Sequence, residues 1–422
     1  MVSWRRPGAT RHGTRDTGKR PGRESLMDFR LSPEEENFRQ EVRDWLKENL
    51  PDNWREDRFT RDPERDSETW NIYRVFGKKL AEKKWVAPAW PVEYGGLGLS
   101  VMQQLVFNEE MASHQAPLGY TMMGVGWAGP TIIVYGTEEQ KRQHLGAITN
   151  ADTMWCQGFS EPNAGSDLAS LKTRAERDGD DYVINGQKIW TSGAHLADWC
   201  ILLARTDPEA PKHKGISYFL LDMKTPGVTV QPLIDMMDNH AFNEVYFENV
   251  RVPKECLLGA ENQGWYMAAT TLDFERSSIG AAVGGRRLLE ELVAYARETK
   301  RNGKRLSEDV AVRVRLADAA LGVQVGRLLS YRVASMQSRG LVPNYESSIA
   351  KLYNTDMQFQ LAKAGLEVMG LYGQLVPQSK HAQLRGKFER QYLWQTGMIV
   401  GGGTPEIQRN IIAMRGLGLP RG

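Results

Sequence analysis

The amino-acid sequence predicts an α+β multidomain protein with an N-terminal α-helical domain, a middle β-barrel domain and a C-terminal four-helix bundle. Three observations predict it. Apolar residues recur at helical spacing as far as residue 152, short punctuated strand-like runs fill 153–263, and long helical patterns occupy 264–422. Residues 1–26 precede these as an expected disordered extension, which leaves 27–152 for the first helical domain.

Ser32-Pro33-Glu34-Glu35 reads as a helix start, with Ser as cap, Pro in the first position and Glu three residues after the cap. Phe38, Val42, Trp45 and Leu46 then share one helical face. Residues 55–68 read as a charged loop or a solvated helix start, and 70–84 as a second amphipathic helix. Prolines and glycines in 85–100 forbid helix, so that stretch is a shaped connection. Residues 102–112 and 130–135 read as helical, and Gly136-Thr137-Glu138-Glu139 opens another helix. Strand-like runs follow at 155–159, 182–190, 199–204, 216–223, 228–232 and 244–247. Helical patterns at 265–298, 308–337, 345–369 and 405–415 complete the chain.

Composition narrows the function. The 422 residues are 41% hydrophobic and 25% charged, ordinary for a globular chain of two or three domains. A net charge of +2 makes no field for nucleic acid. Seven Lys or Arg and two acids in residues 1–26 give that segment +5, so residues 27–422 carry −3. Gly and Pro interrupt the apolar face that a transit peptide would need there, and the sequence from Met27 reads as a fresh beginning. Cys156, Cys200 and Cys256 are widely spaced and odd in number, with no metal spacing. They fit a reducing compartment, and a cytoplasmic location is expected. No apolar run approaches the roughly 18 residues of a membrane span.

The informative stretch is Gln157 to Ser192. Gly158 to Asp167 form a turn-rich loop carrying Ser160, Ser166 and several free backbone N–H groups. Asn185-Gly186 lies between Tyr182-Val183-Ile184 and Gln187-Lys188-Ile189-Trp190, which predicts a two-residue hairpin turn. Trp190-Thr191-Ser192 sets an aromatic plate two residues from a hydroxyl donor. That pairing suits a flat heteroaromatic cofactor. The alternative is an ordinary surface hairpin with a buried Trp.

Loop and hairpin together resemble the acyl-CoA dehydrogenase family. Its signature runs Gly or Cys, an apolar residue, Ser or Thr, Glu, Pro, then Gly-Ser-Asp, and later Trp-x-Ser/Thr. Here those positions are Gly158, Phe159, Ser160, Glu161, Pro162, Gly165, Ser166, Asp167, Trp190 and Ser192. The resemblance spans residues 27–420 and implies an FAD site and an acyl-CoA substrate. It implies that Phe159 and Ser160 face the flavin pyrimidine, Trp190 lies against the ring, Ser192 bonds near N5, and Ser166 touches the pantetheine arm. Phe159 departs from the smaller aliphatic residue usual there. No metal is expected.

The implied chemistry removes two hydrogens across Cα–Cβ of an acyl thioester. A carboxylate in a desolvated pocket takes the α proton, and hydride leaves Cβ for flavin N5. Many family members place that Glu two residues before a Thr near the C-terminus. Here the segment is Gly401-Gly402-Gly403-Thr404-Pro405-Glu406, so the position is Gly402 and that base is absent. A second subset uses a Glu before Arg in the first long helix of the last domain, and Glu275-Arg276 matches it. Glu275 is therefore the expected base, against the plainer reading of a surface helix carboxylate. Arg276 is expected to contact cofactor or CoA phosphate, or to pair with a helix acid. Gly402 is expected on the substrate side, and its loop has room for a branched or ring-bearing acyl group. Thr404 and Glu406 are expected on the cofactor side, although Glu406 also reads as a first-turn carboxylate facing the helix dipole.

The resemblance implies an electron-transfer flavoprotein as acceptor. Alternatives are an oxidase or flavin monooxygenase of the same fold, or a non-catalytic subunit. In the family a neighbouring subunit holds the ADP half of FAD, through an Arg-x-x-Phe-Gly and a Gln-x-x-Gly-Gly segment. Here Thr299 stands for that Arg, Glu367 for the Gln and Leu371 for the second Gly. A carboxylate beside a pyrophosphate repels it. The expectation is a heteromer with a related subunit, similar to bacterial steroid side-chain dehydrogenases. The alternative is a homotetramer in which Lys300 or Arg301 replaces the missing Arg.

Overall fold

The computed structural model describes residues 31–51, 63–274 and 279–420. The expected extension 1–26, and the candidate pair Glu275 and Arg276, lie outside the described residues.

The first helices begin where their caps dictate. Ser32 accepts from the Glu35 N–H while the Glu35 carboxylate accepts from the Ser32 N–H, and the helix Pro33–Asn49 follows. Ser100 with Gln103 and Thr137 with Gln140 close the same box at Val101–Ser113 and Glu138–Thr149. With Pro63–Glu82, the first of these helices buries Val42, Leu46, Phe76 and Leu80 against Trp85, Phe107 and Met111. The connection 85–100 is irregular apart from one short turn, as its prolines and glycines require.

The middle domain is one eight-stranded sheet. Its strands are β1 (Trp155–Gly158), β2 (Arg174–Asp178), β3 (Asp181–Lys188), β4 (Trp199–Arg205), β5 (Ile216–Asp222), β6 (Val228–Leu233), β7 (Phe242–Pro253) and β8 (Leu257–Leu258). They run in the order β6-β7-β3-β2-β4-β5-β8, with β1 parallel to β4. Tyr182 of β3 meets Phe219 of β5 ring to ring at 5.1 Å, although β2 and β4 lie between them in the sheet. Only a sheet rolled about its core permits that contact. Along β4, Cys200, Leu202 and Ala204 face this inner core, while Ile201 and Leu203 face the helices through Trp90, Ile132 and Met267. That strand is buried on both faces, so its sequence is a continuous apolar run.

One expectation is corrected. Asn185-Gly186 is no hairpin turn, because β3 runs straight through it. The turn lies earlier, at Gly179-Asp180, where Asp178 pairs with Asp181 and Gly179 has φ +64°. Pairing with β7 explains the difference. Ile184 faces Val250 and Gly186 faces Phe247, so β7 carries one residue more than β3 across the gap, a bulge. Asn185 Oδ1 accepts from the Asn249 N–H at 2.8 Å and so closes that bulge. A Cβ on Gly186 would stand 2.6 Å from Thr173 Oγ1, so glycine serves close backbone approach here.

The C-terminal helices are Gly264–Phe274, Ile279–Glu298, Val310–Ser338, Tyr345–Met369, Lys387–Met398 and Pro405–Ile411. Leu289, Leu292, Val323, Met357, Leu361 and Phe388 form their core. The helix Lys387–Met398 is not among the elements that the sequence predicts. Among the described residues no helix is long and apolar enough to cross a membrane.

Candidate functional site

The loop after β1 is held from beneath by charge. Lys188, wholly buried, donates to Glu161 Oε1 at 2.8 Å and to the Phe159 carbonyl at 3.0 Å. Glu161 also accepts from the N–H groups of Lys172 and Thr173 at 2.6 and 2.8 Å. Burial pulls the Lys188 ammonium down to about 8, against the opposing pull of Glu161. Burial pushes the Glu161 carboxyl up, but Lys188 and the two backbone donors outweigh it and hold it below its ordinary value.

Phe159 turns its ring into the core, edge-on to Tyr218, which leaves its backbone to the loop. Ser160 is half-buried, and its carbonyl accepts from the Ile189 N–H at 2.9 Å. That bond brings the loop beside Trp190-Thr191-Ser192. Trp190 is 58% exposed and has φ +60°, a left-handed conformation that bulky residues rarely adopt. Its ring meets Phe242 edge to face at 5.8 Å, and Phe242 stacks on Trp394 from the helix Lys387–Met398. Ser192 beside it is half-buried.

Asn243, fully buried in β7, borders this segment. Its carbonyl accepts from the Thr191 N–H, and its Nδ2 donates to the Thr191 carbonyl, both at 3.0 Å. Its Oδ1 lies 2.7 Å from His240 Nε2, and its Nδ2 lies 3.2 Å from His195 Nδ1. The two imidazoles stack at 3.9 Å. No sequence motif marked Asn243, His195, His240 or the Glu161–Lys188 pair. A lone Lys within a strand, or an Asn at a strand start, carries no signal until the partner strands are known.

Phe159, Ser160, Trp190 and Ser192 thus share one rim of the sheet, just past the ends of β1 and β3, and the geometry fits a flat, polar ring system. A large aromatic face is exposed on a strained backbone. Thr191 Oγ1 is buried with no hydrogen-bond partner, as is Gln157 Nε2 in β1. The other expected residues stand elsewhere. Ser166 is exposed on the loop, next to Asp167, which pairs with Lys212 at 2.8 Å. Lys172, Arg174, Arg205 and Lys212 line an open cleft of about 460 Å³ beside it. Gly402 is exposed with φ +65°, and its carbonyl accepts from Gln408. Thr404 caps Pro405–Ile411 by accepting from the Ile407 N–H. Glu406 is exposed in the first turn, where its own N–H and the Thr404 hydroxyl hold its carboxyl low. Among the described residues no hydrogen bond joins Thr404 or Glu406 to the Trp190 edge.

Known proteins match along the whole body of the chain. Residues 32–152, 156–250 and 262–417 match the N-terminal, middle and C-terminal domains of acyl-CoA dehydrogenases. The chain is 38% identical over 388 residues to the acyl-CoA dehydrogenase IpdE1 of Mycobacterium tuberculosis, covering 92% of this chain and 98% of that protein. Its fold is similar to the ChsE4-ChsE5 complex from Mycobacterium tuberculosis, with a TM-score of 0.83 and 36% identity over 94% of this chain and 100% of that one. The steroid ACAD Tcur3481-Tcur3483 matches equally well, with a TM-score of 0.83 and 35% identity over 94% of this chain and 100% of that one.

Proposed function

The chain belongs to the acyl-CoA dehydrogenase family, and from that premise we propose that it catalyses α,β-dehydrogenation of an acyl-CoA thioester with Glu275 as the base. Members of the family are FAD-dependent oxidoreductases. The observation that carries the proposal is the exposed Trp190 face set beside Ser192 and bonded through Ile189 to the Ser160 loop. Trp190, Ser160 and Ser192 would hold FAD along that edge, Trp190 by stacking and the two serines by offering hydroxyls to its polar rim, and the bound flavin would supply the acceptor for the Cβ hydride. Glu275 takes the α proton, so the thioester loses one proton and one hydride as its Cα=Cβ bond forms. Ser166 and the basic cleft beside it are suited to the pantetheine and phosphates of CoA. Gly402 stands where other members carry their base, which supports the alternative placement at Glu275.

We infer that the acyl group is bulky or ring-bearing and that the working enzyme is a heteromer. The similar structures include the steroid ACAD Tcur3481-Tcur3483 and the ChsE4-ChsE5 complex. An apolar stripe of Val310, Val314, Leu321, Val325 and Leu328, all exposed along one helix, offers a partner a surface to cover. Glu275→Gln tests the chemistry. The variant should keep flavin and bind thioester, yet lose anaerobic bleaching of the flavin by several orders of magnitude. Near-normal bleaching rules the assignment out. A panel of straight, branched, aryl and steroid-side-chain thioesters in the same assay reads the acyl group.

A further inference from the structure

Resting on the flavin reading of the Trp190 edge, we propose that Asn243 is a positioning residue that fixes Trp190 and Ser192 against the cofactor without touching it. Trp190 holds φ +60°, which an L-residue with a large side chain abandons unless its neighbours forbid it. The restraint falls on the next residue. Both backbone polar groups of Thr191 are taken by Asn243, the N–H by its main-chain carbonyl and the C=O by its side-chain amide. Rotating the peptide between Trp190 and Thr191 breaks the first bond, and rotating the peptide between Thr191 and Ser192 breaks the second. The Gly193 N–H donates to the Ala241 carbonyl at 3.3 Å and continues the same ladder.

The amide itself is oriented from its far side. Asn243 Oδ1 faces His240 Nε2, which must then carry a proton, and Asn243 Nδ2 faces His195 Nδ1, which must then be bare. The stacked imidazoles thus read the two ends of the amide and keep its donor aimed at Thr191. Asn243 is fully buried, so no water replaces either bond when it is lost. Phe242, its chain neighbour, sets its ring against Trp190 and completes the support from the same strand.

The test uses the assembled flavoprotein and FAD as the probe, with flavin release and visible circular dichroism as readouts. Asn243→Asp keeps the shape but turns an acceptor toward the Thr191 carbonyl. Its FAD dissociation constant should rise about tenfold, and its flavin dichroism should move toward that of Trp190→Phe. Because Asn243 acts in part through Trp190, adding Asn243→Asp to Trp190→Phe should weaken FAD less than it does alone. If Asn243→Asp fails to fold, His240→Leu and His240→Gln carry the test. The Leu variant should weaken FAD about threefold, as for one lost hydrogen bond, and the Gln variant, which keeps a donor, should restore it. Unchanged flavin binding and dichroism in Asn243→Asp, or equal behaviour of the two His240 variants, overturns the proposal while leaving the flavin site standing. If Trp190→Phe itself leaves both readouts untouched, the reading of the edge fails, and this inference with it.

Discussion

Lys188 Nζ lies 2.8 Å from Glu161 Oε1, and solvent reaches neither group freely. This pair joins β3 to the loop that carries Phe159 and Ser160, so loop geometry depends on a charge inside the sheet. Removing one partner of a buried pair leaves the other unsatisfied. Glu161→Gln should therefore destabilise the fold by about 3–5 kcal/mol, and Lys188→Met by less, since Glu161 keeps its two backbone donors. The double variant should recover part of the combined loss. Urea denaturation of the four proteins gives the coupling, and additive losses would show that the contact does not hold the loop.

The same pair sets a pH dependence. The Glu161 carboxyl lies below its ordinary 4.5 when folded, so its stabilisation is present above that pH and is lost as pH falls through the lowered value. Lys188 falls from 10.5 to about 8 on folding. Between those values the unfolded chain holds a proton that the folded chain lacks, so this group adds stability as pH rises through that window. The native protein should thus lose stability below pH 4.5, and gain it from pH 8 to 10.5, relative to the Glu161→Gln, Lys188→Met double variant. Unfolding free energies of both proteins at pH 3, 7, 8 and 10 measure the difference. A flat difference would assign the acid sensitivity to other groups.

Gly186→Ala probes the bulge. A methyl group there meets Thr173 Oγ1 at 2.6 Å and Thr173 Cα at 2.7 Å, at a φ of +151°. The expected cost is about 1–3 kcal/mol, read as a lowered Tm with loosened flavin, because Lys188 and Trp190 follow on the same segment. An Ala variant as stable as the parent would show that the strands part easily here.

What was legible in the sequence was what local chemistry decides. The cap at Ser32 and the helix start at Thr137 follow from residues a few positions apart, and the apolar run of β4 follows from burial on both faces. Asn185-Gly186 misled because the same dipeptide serves a turn or a bulge, and the choice belongs to β7, some 60 residues away. Glu161 was visible only as a letter of a motif. Nothing in the sequence marks its partner Lys188 as buried, since burial of a cation is a tertiary fact. The left-handed Trp190 was equally hidden, because its restraint comes from Asn243 on another strand.

The last prediction concerns assembly. The two charged residues at these positions, Glu367 and Arg301, are engaged within this chain. Glu367, in place of a Gln, is ion-paired with Arg315. Arg301, the candidate replacement for the missing Arg at Thr299, donates to the Val368 carbonyl at 2.8 Å, beside Gly370. Leu371, in place of a Gly, is 82% exposed. A pyrophosphate arriving here from a second copy would meet a carboxylate and a leucine side chain, and Arg301 would have to give up its carbonyl to greet it. The chain expressed alone should therefore hold well under one flavin per subunit. Co-expression with a related subunit that carries the Arg and Gln should raise it. Thr299→Arg, Glu367→Gln and Leu371→Gly together should raise it in the chain alone, by restoring two donors and removing one anion. Flavin absorbance per polypeptide, read with native mass, decides among these outcomes. Full occupancy and turnover from the unaltered chain by itself would remove the need for a partner.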